Sequence, residues 1–183
     1  MVRIKICGIK RLEDALAAVD AGADAIGLNF WRPGRRYVPP EIARVIAHAI
    51  PPFVARVGVF ADEDAETIRR IADLCALDAL QLHGAESPEF CRQFDRPVIK
   101  SIKVRGPESV EGLARYRVAA LLLDTHMPGA MGGTGRAFDW SLAVRAGSRP
   151  CHYPQRVFSN RLVLSRVERP GASSARRPTL AKS

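Results

Sequence analysis

The chain has 183 residues, 47% of them hydrophobic and 7% aromatic, which suits one globular domain with a sizeable core. No apolar run approaches the roughly 18 residues of a membrane span, there is no secretory leader pattern, and Cys7, Cys75, Cys91 and Cys151 lack the spacing of a disulfide framework or metal set, so a cytoplasmic protein with free thiols is expected. The net charge of +9 raises nucleic acid as a partner, but residues 1–147 hold 20 Lys/Arg against 18 Asp/Glu and residues 148–183 hold 8 against 1; the excess belongs to a tail without the interleaved aromatics of a stacking surface, and no nucleic acid is expected.

The first predicted element is the β-branched run 2–7, which stops in Cys7-Gly8 just ahead of the helical spacing Leu12, Ala15, Leu16 and Val19. A cysteine there is either a small buried hydrophobe, as most free cysteines are, or a thiol held at the mouth where a parallel barrel keeps its chemistry. Further strands are predicted at 25–30, 53–60, 79–82, 97–102 and 119–124, each leading towards a helical stretch. Their ends fall about 20 to 30 residues apart, the length of a βα unit whose helix returns the chain for parallel pairing. Asp62, Glu63 and Asp64 place negative charge at the start of the third helix, whose apolar face is Ile68, Ile71, Ala72 and Cys75. Ser87-Pro88 opens the fourth helix with a cap and a proline, and Asp139 can cap a short helix through Trp140 and Leu142.

Polar residues collect at the strand ends. Gln81-Leu82-His83-Gly84 closes the fourth strand, Arg35-Arg36-Tyr37 lies in the loop after the second, and the sixth ends in Asp124 ahead of a glycine-rich loop, 129–135. That loop has neither G-x-G-x-x-G spacing nor the Lys-Ser/Thr of a P-loop, so a mobile cover fits it better than a phosphate cradle. Each polar residue also has a plain structural reading: Arg36 as a solvated loop residue, Gln81 as polar lining, and His83 as a histidine satisfied by a backbone carbonyl.

The motifs Lys5-Ile6-Cys7-Gly8-Ile9, Gly58-Val59-Phe60, Gln81-Leu82-His83-Gly84, Leu122-Leu123-Asp124 and Gly132-Gly133-Thr134-Gly135 with Phe138-Asp139-Trp140 follow one another over about residues 2 to 147. In order and spacing this set resembles the phosphoribosylanthranilate isomerases of tryptophan biosynthesis. The resemblance implies an α/β fold of the (β/α)8 TIM-barrel type. It also implies an Amadori rearrangement of N-(5-phosphoribosyl)anthranilate to 1-(o-carboxyphenylamino)-1-deoxyribulose 5-phosphate. By motif, Asp124 would be the general acid that protonates the ring oxygen, and Cys7, as thiolate, the general base that removes the C2′ proton. Lys5, two residues away on the same side of the strand, is a candidate for the positive charge that favours a thiolate. Arg36 would hold the anthranilate carboxylate, with Gln81 and His83 as further substrate-binding residues, and Gly34 stands where the family usually has serine. Proton transfer alone requires no metal or organic cofactor, and the implied partner is a small phosphosugar.

After residue 147 the resemblance stops. About six βα units are recognisable, and neither the Gly-Gly turn of a seventh strand nor the Ser-Gly pair of an eighth, where such barrels hold a phosphate, follows Arg149-Pro150. Two domains are therefore expected: an incomplete barrel over 1–147 and a basic, irregular tail over 148–183, in which only 161–167 has strand character. A shifted reading frame would give such a tail. The alternative function is a barrel fragment that binds a sugar phosphate or a partner chain without catalysis.

Overall fold

The structure is a computed structural model in which residues 3–125 and 156–159 are described. Seven parallel strands follow one another in chain order: β1 (Lys5–Cys7), β2 (Ala25–Asn29), β3 (Ala55–Phe60), β4 (Ala79–Leu82), β5 (Val98–Val104), β6 (Ala120–Thr125) and β7 (Arg156–Ser159). Helices α1 (Leu12–Asp20), α2 (Pro40–Ala49), α3 (Ala65–Leu74) and α4 (Pro88–Cys91) form the first four crossovers. Sequential neighbours pairing in parallel through helical crossovers is the arrangement of a βα barrel wall.

The strand register explains which residues meet. Partners across a ladder project to the same face and alternate residues to opposite faces. Cys7 pairs with Gly27, Asn29 with Val59, Val59 with Gln81, Gln81 with Ile99, and Lys103 with Asp124. One face of the sheet therefore carries Lys5, Cys7, Gln81 and Asp124. The other carries Ile26, Leu28, Phe60, Leu80, Leu82, Leu121 and Leu123, all buried in the hydrophobic core under the helices. There Phe30 and Phe60 stack with ring centroids 5.1 Å apart.

The helix signals act locally. The Asp64 carboxylate accepts from the Thr67 N–H at 2.8 Å, and Ile68, Ile71, Ala72 and Cys75 are all buried as their spacing requires. Ser87 caps α4 through the Phe90 N–H at 3.1 Å, but that helix is only four residues long. In α1 the buried positions are Ala15 and Ala18, whereas Leu16, expected on the apolar face, is 41% exposed. The fifth crossover is not an α-helix but two 3-10 turns, Pro107–Val110 and Leu113–Arg115, because Gly106, Pro107 and Gly112, the last at φ 73°, interrupt any helical run.

The six strands expected from the sequence are all present, and one more strand pairs beside them. Residues 156–159 form a seventh strand, with Ala120 opposite Arg156 and Leu123 opposite Ser159. A strand of four residues is too short to show an alternation. The 129–135 loop, the 139–143 segment, the 161–167 run and the rest of the tail lie outside the described residues, as does Cys151. Among the described residues no helix is long and apolar enough to cross a membrane.

Candidate active site

Cys7 closes β1 and Gly8 follows at φ +89°, a conformation that favours glycine. Arg36 lies across this turn: a Cβ on Gly8 would collide with the arginine's methylenes, and Arg36 Nη1 stands 3.5 Å from the Cys7 carbonyl oxygen, the outer limit of a hydrogen bond. The Cys-Gly pair thus ends the strand and leaves room for a guanidinium over the site. Gly27, opposite Cys7 in the ladder, has the same logic, since a Cβ there would sit 2.8 Å from Sγ.

Gly34 explains its own place. Its N–H donates to the Trp31 carbonyl and its carbonyl accepts from the Tyr37 N–H, each at 3.0 Å, and a Cβ would stand 2.8 Å from the Trp31 ring. A serine there would push the indole aside. The turn brings Arg36 and Trp31 to one recess, walled by Cys7, Asn29, Trp31, Arg36, Val59, Ala61, Gln81 and His83. Asn29 and Trp31 were not singled out in the sequence; Asn29 accepts the Trp31 N–H at 2.9 Å and so shapes the exit of β2. A larger depression of about 630 Å³ opens at the other end of the sheet, around Val98 at the start of β5 and Ala119 just before β6, and none of the polar strand-end residues lines it.

Across the mouth the polar side chains form one connected row. The Lys5 ammonium, on the same face of β1 as Cys7 and electrostatically coupled to it, donates to Gln81 Oε1. Gln81 Nε2 lies 3.0 Å from His83 Nδ1, and His83 Nε2 lies 3.2 Å from Asp124 Oδ2. Asp124 is 5% exposed and Gln81 2%, so the row runs through a largely dry wall. Burial holds the Lys5 ammonium below the ordinary lysine range; the Cys7 thiol pulls it back up and the Arg36 charge pushes it further down. The other described thiols are different: burial pushes both Cys75 and Cys91 up to about 11, which leaves them protonated and inert.

The strand-end loop that carries His83 is fixed from beneath. Glu86 Oε1 accepts the N–H groups of Asp62 at 3.0 Å and Gly84 at 3.1 Å, while its Oε2 pairs with Lys100 Nζ at 2.8 Å, both side chains 3% exposed. Lys100 also donates to the Gly84 carbonyl at 2.8 Å. Chemically the site offers a thiol and a carboxyl on one face of the sheet, with a guanidinium between the β2 loop and the thiol. Among the described residues no group of three His, Cys, Asp or Glu side chains could hold a metal ion.

Comparison with known proteins bears on this arrangement. The family model for N-(5'-phosphoribosyl)anthranilate (PRA) isomerase matches residues 4–151. The N-(5'-phosphoribosyl)anthranilate isomerase of Geobacter sp. (strain M21) is 51% identical over 146 residues, covering 80% of this chain and 72% of the relative. The crystal structure of phosphoribosyl anthranilate isomerase from Thermotoga maritima superposes with a TM-score of 0.78 at 44% identity, covering 86% of this chain and 77% of that one. A second solved structure, an isomerase in complex with reduced 1-(o-carboxyphenylamino)-1-deoxyribulose 5-phosphate, superposes with a TM-score of 0.74 at 42% identity, covering 87% and 76%.

Proposed function

The chain belongs to the N-(5'-phosphoribosyl)anthranilate isomerase family, and on that premise we propose that it carries out the Amadori rearrangement with Asp124 as general acid and Cys7 as general base. The Asp124 carboxyl gives its proton to the furanose ring oxygen as the C1′–O bond breaks, and the nitrogen lone pair forms the Schiff base. The Cys7 thiolate then takes the C2′ proton, and the electron pair of that C–H bond moves into an enolamine, which ketonises to the product. Both steps are proton transfers between groups that face one mouth, so the reaction as written requires no cofactor.

One observation carries the assignment: Cys7 and Asp124 end strands on the same face of the sheet and are joined by the row through Lys5, Gln81 and His83. Lys5 stands on the same face of β1 as Cys7, two residues before it. Arg36, poised over Gly8, has the planar fork that suits the anthranilate carboxylate, and Gln81 and His83 complete the wall the substrate meets. The partner is a small phosphosugar and the place of action the cytoplasm.

The test is conversion of the aminoaldose by the full chain. Cys7→Ala and Asp124→Asn should each lower kcat by about 10²- to 10⁴-fold, the usual worth of a positioned acid or base. Undiminished turnover in either variant would remove that residue from its role.

A further inference from the structure

The row of side chains between the thiol and the carboxyl has a direction. An ammonium has three donors and no acceptor, so the atom of Gln81 facing Lys5 must be the carbonyl oxygen Oε1. That choice turns the amide nitrogen towards His83 Nδ1, 3.0 Å away. An amide nitrogen can only donate, so Nδ1 must present its lone pair. A neutral imidazole then carries its proton on Nε2, which donates to Asp124 Oδ2 at 3.2 Å. The orientation of an amide and the tautomer of a histidine are ordinarily ambiguous; here the donor-only lysine settles both.

We propose that Lys5 and Gln81 are positioning residues that lock His83 as the neutral, Nε2-protonated imidazole facing Asp124. The proposal rests on Asp124 being the general acid. Two other states of His83 would spoil that acid. A neutral imidazole with its lone pair on Nε2 would accept the carboxyl proton itself. An imidazolium would hold Asp124 as a carboxylate in an ion pair. Each requires a hydrogen on Nδ1, directly against the NH₂ of Gln81. The lock therefore leaves Asp124 Oδ2 as an acceptor and reserves the acid's proton for Oδ1 and the substrate. Lys103 is the register partner of Asp124 on β5.

Nitrogen-15 NMR of the imidazoles in the full-length protein at neutral pH tests the lock without turnover, with the His83 signals assigned by their loss in His83→Asn. The expected spectrum shows Nδ1 bare and Nε2 protonated. In Gln81→Glu the new carboxylate accepts from Nδ1, so Nδ1 should gain a proton, and kcat should fall by roughly 10²- to 10⁴-fold, as a wrong tautomer beside the proposed acid predicts. Lys5→Arg, another donor-only cation, should keep the parental imidazole signature, and it reports on the lock even where Gln81→Glu fails to fold. A protonated Nδ1 in the parent protein, or Gln81→Glu with unaltered imidazole signals or unaltered kcat, would overturn the proposal. A locked imidazole in a chain that does not turn over the aminoaldose would count against the isomerase assignment and leave the lock standing.

Discussion

At the scale of single residues, the site depends on what is missing as much as on what is present. Gly27 is the clearest case, because the hydrogen in place of a side chain is what lets the Cys7 sulfur lie in the plane of the mouth. Gly27→Ala should push Sγ off its line to C2′ and lower kcat by roughly ten- to a hundredfold, a displacement of about an ångström being enough. Steady-state kinetics beside a circular dichroism melt would check this, with the melt little altered and KM near the parent value. The convergence of the proposed site residues was legible because they cluster where strands stop: Cys7, Gln81, His83 and Asp124 each end a β-rich run, and Arg36 follows one. Their mutual bonds were not legible. Lys5 and Gln81 lie 76 residues apart and His83 and Asp124 lie 41 apart, and nothing local in the sequence tells a glutamine which neighbour it will serve.

At the scale of elements, two ion pairs tie loops to strands in different ways. The Lys100–Glu86 pair links β5 to the loop after β4 and is fully desolvated, so it cannot be broken cheaply. Lys100→Met leaves the Glu86 carboxylate buried without its cation and should cost about 3–5 kcal/mol in urea unfolding, with His83 losing its footing and kcat falling in parallel. Removing Glu86 as well should not restore the loss, because the Asp62 and Gly84 N–H groups would then lack their acceptor. The Arg56–Asp78 pair, by contrast, is partly solvated: the guanidinium donates to both carboxylate oxygens at 2.8 Å and joins β3 to the turn before β4. The hydrogen bonds from Arg56 hold the Asp78 carboxyl below the usual carboxylate range, against the opposing effect of burial. A carboxyl depressed in the folded state stabilises the fold above its unfolded value near 4, and that contribution fades as pH falls through the lower folded value. Asp78→Asn should therefore lose stability at neutral pH and show a flatter acid limb in pH-dependent melts. Exchange of the two slopes would refute the sign.

At the scale of the whole molecule, strand ends were the legible feature and helical crossovers were less so. All six strand ends expected from the sequence fall within two residues of those observed, since a β-branched run and the glycine or polar residue that stops it are both local signals. The fifth crossover and β7 were not found, the one because Gly106 and Gly112 break a pattern that still looks helical in outline, the other because Arg156–Ser159 is a strand by virtue of its partner rather than its composition. That dependence has a consequence for Asp124, the proposed acid. Strand β6, which carries Asp124, is held on one side by β5 and on the other by β7, with Ala120 to Leu123 in register with Arg156 to Ser159. A chain ended at residue 147 loses that second partner, and the row of backbone N–H and C=O groups so exposed is a template for pairing with another chain. Amide hydrogen exchange should show Leu121 to Asp124 exchanging faster than Val57 to Phe60, whose partners on both sides remain, and light scattering should show concentration-dependent association. A peptide spanning 154–162, supplied in excess, should slow the exchange again. Equal protection of β6 in the shortened and full-length chains would mean that β7 contributes nothing to holding the acid in place.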